Sequence, residues 1–207
     1  MNTIHMQEQV ADDLHAIEKD CWQHLVNGAL QPGDAFHTPV VGNITAQGIS
    51  MRTVVLRKTC PVSKLLYFYT DIRSGKWAAL QQQNSTSWLF YDAKTAIQIR
   101  ASGFATLHHT GELADKAWDG SNIMNRKNYL SVLAPSAETG IPTNGLPPEF
   151  DHADFTKAQS EAGRKNFGVV VTNIQWMEWL WLNKEGHRRA NFIYAEDGHY
   201  TASWLVP

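Results

Sequence analysis

Apolar residues first recur at helical spacing, with Val10, Leu14, Ile17, Cys21 and Leu25 on one stripe, which predicts an amphipathic helix over residues 6–27 ended by Gly28. After that the period changes to two. Residues 39–45 and 49–56 read as strands joined at Ala46-Gln47-Gly48, and the β-branched and aromatic run 66–69 reads as a third. A helix over 76–83 precedes two more strands, 88–91 and 97–107. Five consecutive β elements with short connections favour a meander or barrel over parallel βαβ units. In the second half a helix is expected over 114–130, a long loop over 134–148 and a short helix over 154–162. Three closing strands follow at 167–181, 187–194 and 200–205. The pattern predicts a mainly β fold, a barrel with peripheral helices. With no internal repeat or low-complexity linker, one domain over 1–207 is the economical count, made of an N-terminal helix (1–30), a first barrel half (38–110) and a second half of helices and closing strands (114–207).

A chain of 207 residues that is 43% hydrophobic can bury a full core. Its formal net charge of -2 argues against nucleic acid as the main partner, because phosphate-backbone binding wants a strongly basic face. The two cysteines, Cys21 and Cys60, cannot by themselves build a disulfide framework or a zinc site and read as reduced thiols. No run approaches the roughly 20 apolar residues of a membrane span, and the polar first residues lack the apolar core of a signal peptide. The expectation is a soluble, cytoplasmic protein with no membrane partner.

The candidate chemistry lies in the first half. Arg52 to Arg57 is followed by Phe68-Tyr69-Thr70-Asp71 and then by Arg73-Ser74-Gly75-Lys76, two strands and a helix start that each end in groups able to hold a phosphate. Ser74 can cap the helix and offer its hydroxyl, unpaired backbone N–H groups and the positive end of the dipole. Arg52, Arg57, Arg73 and Lys76 add full charges, the arginines with forks that match phosphate oxygens. The plain alternative is a solvated basic edge. Strand alternation puts Arg52 and Arg57 on opposite faces, so they should not grip one phosphate together. His108 and His109 likewise point apart on a strand, so no metal site is expected. The chain has no G-x-G-x-x-G, Walker-type loop or G-x-S-x-G, which removes support for the usual dinucleotide fold, the P-loop and the hydrolase elbow.

These residues, in this order, resemble the pyridoxamine 5′-phosphate oxidase-like, FMN-binding split barrels, from about Thr38 to Pro207. That family reads roughly R-x-V-L-L-K, then F-Y-T-N, then S-R-K, then a Gln-bearing strand ending in Gly. Here the counterparts are Arg52 to Arg57, Phe68 to Asp71, Ser74 to Lys76, and Gln98 with Gly103. The resemblance implies FMN as cofactor, contacted by Arg52, the Thr53-Val54-Val55-Leu56 backbone, Tyr69, Thr70, Ser74, Lys76 and Gln98. Arg73 stands in for the missing arginine at Gly75. Trp181 is implied beside the flavin, and Arg57, Tyr129 and Ser136 on the substrate side, where Arg57 could equally be a rim ion pair. A homodimer with FMN at the interface is implied as well, and the eight tryptophans agree with it, since aromatic residues are enriched in interfaces.

The departures bear on activity. The authentic oxidase carries R-x-H-x-R on its penultimate strand, where this chain has His187, Arg189 and Asn191, and Leu133 stands where the family has a substrate-phosphate arginine. His187 and Arg189, with Arg189 also near the flavin, are the candidate catalytic pair that could polarise an acceptor or relay a proton; both could equally be surface residues on an exposed strand. The expectation is a flavin-dependent oxidoreductase acting on a small molecule, with the cofactor site kept and the vitamin B6 site altered. A flavin-storage module, or a barrel holding haem or a deazaflavin, stays open.

Overall fold

The computed structural model describes residues 12–150 and 155–207. Helix α1 (Leu14–Leu30) is capped by Asp13, whose carboxylate accepts the N–H groups of His15 and Ala16. It buries Ile17, Glu18, Cys21, Trp22 and Leu25, the stripe read from the sequence, while Val10 lies outside the described residues. The helix does not stop at Gly28. That glycine lies against Phe36, where a Cβ would come within 2.8 Å of the Phe36 backbone, so it permits a close approach and does not terminate the helix.

The strands are β1 (Val40–Thr45), β2 (Gly48–Thr53), β3 (Lys58–Cys60), β4 (Leu65–Asp71), β5 (Ser85–Asp92), β6 (Ile97–His108), β7 (Phe167–Trp181), β8 (Arg188–Tyr194) and β9 (Tyr200–Leu205). They form one antiparallel nine-stranded sheet among the described residues, in the order β2-β1-β5-β6-β7-β4-β3, with β8 and β9 added beside β7. The fold is mainly β, a split barrel. The split arises on β7, whose first half pairs with β4 and whose second half pairs with β8, while β6 pairs along its whole length. Alternation then decides the faces. Val41, Trp88, Ala101, Met177 and Phe192 share one rung of the ladder and are all buried, so this is the core face.

Strand β2 is shorter than expected. Residues 54–57 cross from one hairpin to the next, Val54 N–H bonding to Pro39 O (3.0 Å), Leu56 N–H to His37 O (2.9 Å) and Arg57 N–H to Tyr67 O (2.9 Å). That switch creates β3, which the sequence reading missed because three residues before a proline give no period to detect. Helix α2 (Gly75–Gln82) follows β4 and starts at the Ser74 cap. The single helix expected over 114–130 is three pieces: α3 (Glu112–Asp119), α4 (Ile123–Arg126) and a 3-10 turn, Lys127–Tyr129. The chain breaks at Gly120, and Asn122 caps the restart by accepting Met124 N–H at 2.9 Å. Helix α5 (Lys157–Ser160) is capped by Thr156 and Gln159, and a 3-10 run, Glu161–Asn166, follows it. Among the described residues no helix is long and apolar enough to cross a membrane.

Candidate functional site

Arg52 lies opposite Val41 on the core side of the β1–β2 hairpin. Its guanidinium donates to Asn43 Oδ1 and to Ser50 Oγ at 2.5 Å, which fixes the side chain without neutralising it. Across from it, Lys76 in the first turn of α2 donates from Nζ to Thr70 Oγ1 at 2.9 Å. Thr70 Oγ1 in turn lies 3.4 Å from Ser74 Oγ. The hydroxyl of Ser74 accepts Trp77 N–H at 3.4 Å, so β4, the helix cap and the lysine are one hydrogen-bonded unit. Burial, and secondarily the charge of Arg52, pushes the Lys76 ammonium below its ordinary value. Burial also lowers Arg52. Among the described residues neither cation has a carboxylate within ion-pair distance.

Both cations line an open cleft of about 730 Å³, walled by Ser50 and Ser74 below and by Pro135 and Ser136 above. Gly75 also lines it, and a Cβ on that residue would meet nothing within 4 Å. Two cations lowered by burial, the lysine also by the arginine's charge, beside hydroxyls and the positive end of a helix, make an arrangement suited to a dianion such as a phosphate ester.

Eight candidates from the sequence sit elsewhere. Arg73 is folded back on Asp71, with Nε 3.0 Å from Oδ1 and Nη2 2.6 Å from Oδ2, so its charge is spent on a buried carboxylate and does not reach the cleft. The N–H groups of Val54 and Leu56 are taken by the chain itself, Leu56 is fully buried, and Thr53 is on the outer face of the hairpin opposite Val40. Val55 is half-buried on the crossover. Tyr69 points to the side of β4 opposite Thr70. There its ring packs edge-on against Phe167 (5.0 Å) and under Arg57, whose Cζ stands 5.5 Å from the ring centre. Tyr129 packs on the other edge of Phe167 at 5.1 Å. Burial raises both phenols, and the Arg57 charge opposes the shift. Arg57, Tyr69 and Tyr129 therefore form a second cluster, behind β4 from the cleft, while Ser136 belongs to the cleft wall.

The remaining candidates stand on β6, β7 and β8. Gln98, Leu180 and Arg189 share one rung on the outer face of the sheet. Two residues along, Glu178 is only 3% exposed and pairs with both Arg189 (Nη2 to Oε2, 2.7 Å) and Arg100 (Nη1 to Oε1, 3.2 Å). Arg100 also lies over Trp176 at 5.4 Å. Trp181 faces the other way, on the Ile97 rung, with Arg188 over its ring at 5.6 Å. His187 is exposed in the turn before β8 and shares a cavity of about 350 Å³ with Trp181 and Arg188. One chain thus brings Gln98 and Arg189 together but keeps them from Arg52 and Lys76, since β1 and β5 lie between β2 and β6 and the faces differ.

Sequence reasoning missed Asn43 and Glu178. Asn43 carries no pattern that would single it out. Glu178 does: it is the one carboxylate within the strand run Phe167–Trp181, and a charge in a buried strand calls for a partner.

Residues 20–109 match the family described as pyridoxamine 5′-phosphate oxidase, FMN-binding domain. The fold is shared with a pyridoxamine 5′-phosphate oxidase-related, FMN-binding protein from Nostoc punctiforme, at 19% identity and a TM-score of 0.70 over 91% of this chain and 96% of that one. It is also shared with PhzG from Burkholderia lata, solved in complex with tetrahydrophenazine-1-carboxylic acid, at 17% identity and a TM-score of 0.66 over 91% of each chain. No curated relative matches the sequence. The family match covers residues 20–109, the segment that carries Arg52, Ser74, Lys76 and Gln98, and the two solved structures share the fold over most of the chain.

Proposed function

We propose that this protein is a pyridoxamine 5′-phosphate oxidase-like, FMN-dependent oxidoreductase whose cofactor phosphate binds in the cleft between β2 and α2. The observation that carries the reading is the pair Arg52 and Lys76, fixed by neutral partners, close enough to depress the lysine and, among the described residues, with no carboxylate at ion-pair distance. Such a pair is electrostatically unfavourable until an anion joins it, and Ser74 adds a hydroxyl and a helix start at the same place. When bound there, FMN would supply redox chemistry at its ring, while the chain supplies the anchor and the shape around it.

Homodimerisation follows from the same reading. A cofactor held by Arg52 and Lys76 that also meets Gln98 and Arg189 needs a second copy of the chain, because one copy keeps the two sets apart. The outer sheet face supports this, since Ile49, Met51, Tyr91 and Phe104 are exposed on it. The substrate side is the Arg57, Tyr69 and Tyr129 cluster, a guanidinium among aromatic walls that suits a planar anionic compound. His187 and Arg189 would stand nearest the reacting ring, with Arg189 held by Glu178.

The absorption spectrum of the purified protein, with any released flavin identified by mass, tests this. FMN bound in preference to FAD is the expected result, because the cleft offers one anion site. A colourless protein that takes up no added FMN rejects it.

A further inference from the structure

Residues 132–145 leave the fold and rejoin it at one point. Val132 N–H donates to Gly145 O at 2.8 Å. Gly145 has φ +68°, and a side chain on it would collide with Ser131 Oγ, so this neck closes only on glycine. Within the loop, Ser131 Oγ donates to Leu133 O and Thr139 Oγ1 to Ile141 O, each at 2.9 Å. The segment is an Ω-loop with hydrogen bonds of its own. Its Pro135 and Ser136 wall the anion cleft on one side and a second cavity of about 250 Å³ on the other. Ser136 has φ +69°, a left-handed conformation that a non-glycine residue keeps only where its surroundings impose it.

A side chain ties the neck to the site. Arg73 uses Nε and Nη2 on the buried carboxylate of Asp71 and donates from the same Nη2 to Ser131 O at 3.0 Å. Arg73 immediately precedes Ser74, the cap of α2, so the guanidinium joins the turn under the cleft to the loop above it. The floor, made of Arg52, Ser74 and Lys76, is fixed by strands and helix without the loop.

We propose that Arg73 is a positioning residue, a latch that holds the 132–145 loop against the cleft and so sets how long a ligand larger than phosphate stays bound. The ligand part rests on the FMN reading above. Loss of the latch frees the wall and leaves the floor intact, so bulky and minimal anions respond differently.

The test compares wild type, Arg73→Ala, Arg73→Lys and Asp71→Asn in three measurements: cleavage at Glu138 in the loop by a glutamyl endopeptidase, read by fragment mass; the FMN dissociation rate, from flavin fluorescence; and the affinity for inorganic phosphate. In Arg73→Ala, cleavage at Glu138 and FMN release should each rise roughly tenfold, the size expected for one charge-assisted bond, while phosphate affinity stays within about twofold. Arg73→Lys, which keeps the charge but not the fork, should recover part of the protection. Asp71→Asn should act in the same direction and carries the test if Arg73→Ala does not fold. Unchanged cleavage and release overturn the latch. So does an equal loss of phosphate and FMN affinity, which would make Arg73 an anion ligand itself. If wild type binds no FMN, the proposed function falls, and the cleavage rates alone decide the latch.

Discussion

Two pairs of cationic side chains in this molecule are held in opposite ways. On the outer face of β6–β8, Arg100 and Arg189 converge on Glu178, a carboxylate 3% exposed, and each finds its counter-charge within the fold. In the cleft, Arg52 and Lys76 are fixed by Asn43, Ser50 and Thr70, groups that orient a cation without cancelling it. The first arrangement pairs its charges within the fold; the second, among the described residues, has no carboxylate at ion-pair distance, which is what the proposed anion site requires. Arg73 shows that the contrast is not one of residue type. It is three residues from Lys76, yet Asp71 has already claimed it.

The largest effect should come from breaking the satisfied set. Glu178→Ala leaves two arginines against a half-buried face with no partner, and removal of one member of such a cluster costs about 3 kcal/mol, reduced to the extent that Arg100 reaches water. Urea denaturation should show a clear fall in midpoint. A loss under about 0.5 kcal/mol, the size of an ordinary surface change, would mean that Glu178 is not the keystone of that cluster.

The unsatisfied set should respond the other way. Lys76→Ala and Arg52→Ala should each weaken FMN by roughly ten- to a hundredfold, from loss of a charge-assisted hydrogen bond, with no loss of stability in the absence of ligand. Relief of like-charge repulsion even favours a small gain. Equal FMN affinity in wild type and both variants, by fluorescence titration, would remove the anchor assignment. A variant that loses stability as Glu178→Ala does would erase the contrast between the two sets.

This division was only partly legible in the sequence. The apolar stripe of α1 and the period-two runs located nearly every strand, and β7, Phe167–Trp181, falls on the boundaries expected. Those signals depend on burial repeated along a segment, which a single chain displays. The Ser74 cap was also readable, because capping is local. What stayed hidden was pairing across the fold. Nothing in the order of residues says that Asp71 claims Arg73, that Asn43 orients Arg52, or that Tyr69 and Thr70, adjacent in a run of expected cofactor contacts, point into different sites. Strand alternation did separate Arg52 from Arg57 correctly, although the crossover at 54–57 is what carries Arg57 behind β4.

A pH titration sharpens the comparison further. Lys76 in the folded chain has its protonation constant below the ordinary 10.5, first by burial and then by Arg52. The folded state therefore holds fewer protons than the unfolded one between those two values. The cost of that buried charge is present at neutral pH and is relieved as pH rises through the folded value. A bound anion needs the ammonium, so FMN affinity should decline with rising pH before 10.5 is reached. Lys76→Arg should keep binding flat across that range. A wild-type profile that stays flat to pH 10.5 would place Lys76 outside the anion site.

The smallest effect is expected at Arg57, and it separates the cleft from the cluster behind β4. The Arg57 guanidinium stands over Tyr69, next to Phe167 and on the far side of the strand from Thr70 and Lys76. At that place it adds only screened, long-range attraction to a phosphate in the cleft, worth a fraction of a kcal/mol once water intervenes. Arg57→Ala should then change FMN affinity by less than about threefold, which is some 0.6 kcal/mol. The same substitution should abolish binding of a planar carboxylate probe to FMN-loaded protein, if the cluster is the substrate side. The two measurements on one variant cross-check each other. A tenfold loss of FMN with the carboxylate probe unaffected would reverse the roles of the two arginines and make Arg57, with Tyr69, part of the cofactor site.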